Sequence, residues 1–231
     1  MSTTTNMSST IEVKFDSGVA IVALNRPEVF NSFNREMALQ LQKVLDDCET
    51  NTEVRAIVLT GNGKAFCAGQ DLKEVTDPDK NPGFKNILEE HYNPIITRIR
   101  AIEKPIVAGV NGVAAGAGAN IALACDIVIA NAEASFIQAF SKIGLIPDSG
   151  GTFFLLRLIG FQRASALAML GDKIMADEAQ QMGMIYKSVP AVDIEGYVLK
   201  TAEKKAKMPT KALGLIKNSL NASLNNSLEE Q

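Results

Sequence analysis

The sequence predicts an α/β fold, and three observations carry that expectation. Short apolar runs at residues 19–24, 54–60, 105–110 and 127–130 read as buried strands. Helical periodicity stands between them, most clearly at 35–47, where Met37, Leu41, Val44 and Leu45 share one face. Strand and helix signals alternate along the whole chain without a strict repeat or a low-complexity tract.

Taken in order, residues 1–10 (MSTTTNMSST) lack a basic region followed by an apolar stretch, so they read as a flexible N-terminal tail and not as a secretory signal. Residues 19–24 end at Asn25-Arg26-Pro27, where proline stops the strand. Residues 54–60 exit through Gly61-Asn62-Gly63. Between Asp71 and Pro94 the chain turns polar, with prolines and aspartates at 77–82, and reads as a mobile surface loop that carries His91 at the surface. Residues 105–130 are nearly free of charge, yet Asn111, Asn120, Asp126 and four glycines argue against a membrane span; strand, tight turn, small-residue helix and second strand fit better. Near the end, Leu213, Ile216, Leu220, Leu224 and Leu228 describe an amphipathic helix whose stripe needs a partner. Glu203, Lys204, Lys205 and Lys207 read as a solvated helix face.

A chain of 231 residues, 46% apolar and 21% charged, fits one globular domain. Its net charge of -3 gives no general reason to expect nucleic acid or an anionic membrane as partner. Three scattered cysteines, Cys48, Cys67 and Cys125, make neither a disulfide framework nor a zinc site, so a cytoplasmic location is expected. No phosphate-binding G-x-x-x-x-G-K-[ST] or dinucleotide-binding G-x-G-x-x-G is present, His91 is the one histidine, and there is no G-x-S-x-G. The expectation is therefore no metal, no cofactor and no nucleophilic triad.

Three segments remain unusual: 64–72 (KAFCAGQDL), 111–120 (NGVAAGAGAN) and 144–152 (GLIPDSGGT). In the second, glycines and alanines stand where a strand turns into a helix, so main-chain N–H groups can face a cleft with no side chain in the way. That is the recipe for an oxyanion hole, although close helix packing explains the same composition.

These segments, with Asn25-Arg26-Pro27, Asn31-Ser32-Phe33, Lys104-Pro105-Ile106 and Cys125-Asp126, resemble the crotonase superfamily, the enoyl-CoA hydratase/isomerase group, from about residue 11 to 228. The resemblance implies a crotonase-type spiral of ββα repeats over 11–195, a helical region over 196–231, a homotrimer or dimer of trimers, and an acyl-CoA thioester as substrate. Coenzyme A would enter as part of that substrate. By motif position the two oxyanion donors fall on Gln70 and Ala117, and Ala65, Ala68, Asp71, Leu72 and Lys73 border the CoA moiety. The positions of the two hydratase glutamates hold Asn120 and Phe140, which cannot ionise but would still line the substrate.

One carboxylate remains, Asp148, where the family's dienoyl-CoA isomerases also carry an aspartate. Without the glutamates no water is activated, so a proton shuttle through Asp148 is expected. Burial among Phe140, Ile146, Phe153 and Phe154 would raise its pKa. A carboxylate that caps the turn at Gly150 is the alternative, and a weak hydratase or lyase using Glu133 or Asp126 is another. The stretches 111–130 and 144–151 most resemble the ring-1,2-epoxyphenylacetyl-CoA isomerases of phenylacetate degradation, which implies formation of a seven-membered oxepin-CoA, with Δ3,Δ2-enoyl-CoA isomerisation as a related activity. A non-catalytic acyl-CoA binding protein is the reading from a different class. The chain stops at Gln231, short of the usual family length, so the C-terminal helical region is expected to be incomplete and Asp148 wetter for it.

Overall fold

Strand β1 (Ile11–Asp16) pairs antiparallel with β2 (Val19–Leu24), and β2 then opens a run of parallel strands whose alternating and continuous apolar residues are buried on both faces. A computed structural model describes residues 9–77 and 81–231. A short 3-10 turn at Pro27–Val29 follows β2, and α1 (Arg35–Thr50) starts where the Asn34 side chain accepts from the Met37 amide. The chain continues through β3 (Ala56–Gly61), β4 (Ala65–Cys67), α2 (Leu72–Thr76), α3 (Phe84–Asn86), a π-helical segment at Ile87–Tyr92, and α4 (Asn93–Ala101). Next come β5 (Ile106–Val110), β6 (Val113–Ala115) and α5 (Ala117–Ala124), then β7 (Ile127–Asn131), β8 (Ser135–Ile137), a 3-10 turn at Ala139–Ile143, and α6 (Gly151–Leu170). β9 (Lys173–Met175), α7 (Ala176–Gln181), β10 (Lys187–Val189), α8 (Ile194–Ala206) and α9 (Thr210–Ala222) complete it.

The spiral follows from this order. Three repeats, β3/β4, β5/β6 and β7/β8, each give their first strand to a six-stranded sheet, β1-β2-β3-β5-β7-β10, and their second to a four-stranded sheet, β4-β6-β8-β9, before helices return the chain. The first sheet is parallel from β2 to β10, and the second is parallel from β4 to β8, with β9 antiparallel. The main core lies between the sheets and α1, α4 and α5, and holds Leu24, Phe33, Met37, Leu41, Ile57, Leu59, Phe66, Tyr92 and Ile106. A second core forms on the other face of the large sheet, where α8 packs Val198, Ala202 and Ala206 on Val19, Val58, Val107 and Ile129.

The nearly charge-free stretch at 105–130 is β5, β6, α5 and β7, with a short strand, β6, where a tight turn was expected, and all eight residues of α5 are buried. Glu203 and Lys205 are half-buried on α8, and Lys204 and Lys207 are exposed. The apolar 20-residue α6 is long enough to cross a membrane by length and composition, but Gly160 (φ 75, ψ 168) breaks it into two helices.

Other expectations need correction. Residues 1–8 of the expected tail lie outside the described residues; Ser9 and Thr10 are tied down, both bonding Gln40 Oε1 on α1. Most of the 71–94 stretch is not a loop: α2, α3, the π segment and the start of α4 occupy 72–76 and 84–94, with irregular chain at 71, 77 and 81–83 and residues 78–80 outside the described residues. Lys73, Lys85, Glu89 and Glu90 face out while Ile87, His91 and Tyr92 face the core, so His91 is fully buried, not at the surface. The boundary at 195/196 falls inside α8, which the second core binds to the sheet. The C-terminal stripe is reversed: α9 ends at Ala222, Ile216, Leu220, Leu224 and Leu228 are exposed, and the inward side carries Gly214 and Lys217. Hydrogen bonds decide that orientation, because the Lys217 ammonium donates to the Ile99 carbonyl (2.6 Å) and pairs with Asp126 (3.0 Å).

Candidate active site

Two main-chain amides frame the site. Gly69 (φ 94) turns the chain after β4 so closely against the next repeat that a Cβ there would sit 3.0 Å from the Ala115 carbonyl oxygen and 3.7 Å from the Ala117 nitrogen. Phe33 and Gln70 form a parallel bridge in which the Phe33 amide donates to Gly69 O (2.7 Å) and the Asp71 amide donates to Phe33 O (2.8 Å). The amide of Gln70 takes no part. Ala117 is the first residue of α5, where an N–H has no intrahelical acceptor. Among the described residues neither N–H has a partner, and the two stand on neighbouring segments, at the positions where the resemblance implied the donors. Close packing also holds here: a Cβ on Gly118 would lie 2.6 Å from that of Cys67, so the same glycine-rich turn seats α5 on β4.

Asp148 enters from the third repeat. It follows Pro147 in the loop before α6, which is set by Ser149 (φ 51) and Gly150 (φ 73). Its main-chain carbonyl, and not its carboxylate, closes the turn by accepting from the Gly151 amide (2.7 Å). The carboxylate accepts from the Ser149 hydroxyl (2.8 Å), and burial pushes its pKa up to about 6 against that hydrogen bond. The shielding differs from the expected one. Phe140 is buried, but Ile146 is 80% exposed and Phe153 39%, because both project outward from the loop and from α6.

Asn120, fully buried on the first turn of α5, joins the two halves of the site. Its Nδ2 donates to the Asp148 carbonyl (2.8 Å) and its Oδ1 accepts from Gln138 Nε2 (2.8 Å). Both ends of the amide are committed, so its role is to hold the Asp148 loop. Phe140 walls the glycine turn, with its Cζ 3.6 Å from where a Gly116 Cβ would stand.

Among the residues expected along the CoA moiety, Ala68, Leu72 and Lys73 are exposed at the start of α2. Ala65 is buried, and its carbonyl accepts from the side-chain amides of Asn31 (2.8 Å) and Asn111 (3.2 Å). Asp71 is buried too; it pairs with Arg26 at 2.8 Å and caps α2 through the Lys73 amide. Its carboxylate therefore fixes the Gln70 loop. Of the other carboxylates considered, Glu133 is exposed, and Asp126 joins Arg100 (3.3 Å) and Lys217 in a structural ion pair while accepting from the Ile106 amide.

Two residues at the site, Tyr92 and Glu74, escaped the sequence reading, and a third, His91, was read as a surface residue. Tyr92 is fully buried and its hydroxyl donates to Gln70 Oε1 (2.8 Å), while Gln70 Nε2 donates to Glu74 Oε2 (2.7 Å). The spacing of Gln70 and Glu74 was a usable signal; the arrival of Tyr92 from 22 residues away was not. His91 is buried with both ring nitrogens unpartnered among the described residues, and desolvation lowers its pKa, only partly offset by Glu74 and Glu90.

The chain is similar to known proteins over most of its length. The chain is 44% identical over 222 residues to a probable enoyl-CoA hydratase of Rhodobacter capsulatus, covering 96% of this chain and 85% of that protein. It is also 44% identical over 218 residues to the 1,2-epoxyphenylacetyl-CoA isomerase of Escherichia coli K12, covering 94% and 83%. The crystal structure of an enoyl-CoA hydratase/isomerase from Mycobacterium abscessus superposes with a TM-score of 0.88 at 35% identity, covering 95% of this chain and 85% of that one. Residues 14–231 match the enoyl-CoA hydratase/isomerase family, and the chain belongs to it.

Proposed function

We propose that the chain is a cofactor-independent isomerase of acyl-CoA thioesters that converts ring-1,2-epoxyphenylacetyl-CoA to the oxepin-CoA. The observation that carries this reading is a carboxylate raised to about 6, Asp148, on a loop that Asn120 fastens to the helix whose first amide is free. At neutral pH Asp148 is mostly ionised yet basic enough to take a carbon-bound proton. The Gln70 and Ala117 amides would hold the thioester oxygen as charge develops on it. Ring expansion breaks the carbon–carbon bond shared by the epoxide and the six-membered ring while the ring double bonds shift to give the oxepin. Asp148 removes the proton between the thioester and the ring, the electron pair moves into the thioester as an enolate, and as that pair returns through the ring double bonds the same carboxyl delivers the proton to a ring carbon. No atom is gained or lost. Asn120 and Phe140 leave the hydratase positions without an ionisable group, and the identity to the E. coli isomerase supports the aromatic substrate.

The same base and donors serve Δ3,Δ2-enoyl-CoA isomerisation, so acyl preference is decided by turnover. NMR in deuterated water, with 3-enoyl-CoA and with epoxyphenylacetyl-CoA generated in place, should show isomerisation that disappears in Asp148→Asn. Full turnover in that variant, or binding with no proton exchange in the wild type, would sink the proposal. The outward apolar residues Phe161, Met169 and Leu170 of α6 support assembly as a trimer or dimer of trimers, which light scattering of the purified protein tests. Three free, buried cysteines support a cytoplasmic setting.

A further inference from the structure

The amide of Gln70 lies on a loop turned by a glycine, and a loop amide keeps its aim only if something holds it. Here the Gln70 side chain is gripped at both ends, by the Tyr92 hydroxyl at Oε1 (2.8 Å) and by Glu74 at Nε2 (2.7 Å). Glu74 is anchored in turn, because its second oxygen accepts from the Arg35 amide at the start of α1 (2.8 Å). Tyr92 is anchored by complete burial and by an edge-on contact with Phe33 (centroids 5.9 Å, 66°), the residue that forms the bridge with Gln70. It ends the π-helical segment, an irregularity that recurs at functional sites. Burial first, and then the neighbouring Cys67, Asp148 and Glu74, raise the tyrosine pKa well above its ordinary value, so the hydroxyl stays a donor.

We propose that Tyr92 and Glu74 are positioning residues that clamp the Gln70 side chain and thereby aim its main-chain amide at the thioester oxygen, an inference that rests on the reading of Gln70 as an oxyanion donor. The clamp acts through geometry: the donor survives when the clamp is cut, but it loses its fixed direction.

The test uses phenylacetyl-CoA labelled with carbon-13 at the thioester carbonyl. The downfield shift of the bound carbonyl reads its polarisation, and exchange of the protons beside it in deuterated water gives kcat and KM. Tyr92→Phe cuts one grip, and Gln70→Ala removes the handle while keeping the main-chain N–H. Both should lower kcat about tenfold with KM within about twofold, both should lose most of the downfield shift, and the double variant should be no worse than either. A wild-type shift in Tyr92→Phe, or a lower rate with the shift intact, overturns the clamp. A wild-type protein that binds the probe with no downfield shift overturns the oxyanion reading itself, and the clamp with it.

Discussion

Asn120 donates its side-chain amide to the Asp148 carbonyl at 2.8 Å, and so couples the helix that begins with one free amide to the loop that carries the acid. The pairing joins the second and third repeats of the spiral, 28 residues apart in sequence. It holds the main chain of Asp148 and leaves the carboxylate available for chemistry, with only the Ser149 hydroxyl on it among the described residues.

Asn120→Ala should cut this tie and orphan Gln138 Nε2. Two hydrogen bonds and a buried polar group are at stake, so a loss of about 2 kcal/mol in urea unfolding is expected, with turnover falling at least tenfold as the Asp148 loop loosens. Unchanged stability and rate together would remove the positioning role.

The raised pKa of Asp148 makes stability depend on pH in a defined direction. Below about pH 3 the carboxyl is neutral in both the folded and the unfolded chain. As pH rises from about 4 through 6, the unfolded chain ionises first and the folded state loses relative stability. Asp148→Asn should therefore be more stable than wild type at pH 7 by on the order of 2 kcal/mol, and the difference should vanish at about pH 3. Thermal melts of both proteins at the two pH values check this.

The same value governs catalysis. If ionised Asp148 is the base, kcat/KM should rise with pH through about 6 and level off above it. A profile flat from pH 5 to 8 would exclude that role.

Gly118→Ala drives a Cβ to 2.7 Å from the Cys67 sulfur, with the β4 main chain behind it. Overpacking of this kind costs about 1–3 kcal/mol and shifts the start of α5, so both stability and thioester binding should weaken. Calorimetric titration with phenylacetyl-CoA, beside a melt, measures the two effects.

Asp126 accepts from the Ile106 amide and pairs with Arg100 and the buried Lys217. Asp126→Ala leaves two cations short of a partner, and should cost about 3 kcal/mol. The catalytic rate of the folded fraction should stay near wild type, which separates this aspartate from Asp148.

Much of this protein was legible in the chain because the information is local. Buried strands read as continuous apolar runs, proline stops β2, and the glycine turn before α5 needs residues without side chains on a helix start. Motif order then pointed to Gln70, Ala117 and Asp148. The 71–94 stretch read wrongly because its charges lie on the outer side of short helices, while the few inward residues, Ile87, His91 and Tyr92, are too sparse to make a pattern. The α9 stripe read wrongly because Lys217, held by the Ile99 carbonyl and the Asp126 carboxylate, takes the inward side, while Ile216 and Leu220 face out. Tertiary structure alone decided that Asn120 and Asp71 hold loops, that Tyr92 reaches Gln70, and that Asp148 is buried enough to titrate near 6. Hydrogen bonds and desolvation depend on which groups from distant segments share a space, and no period or motif along the chain records that.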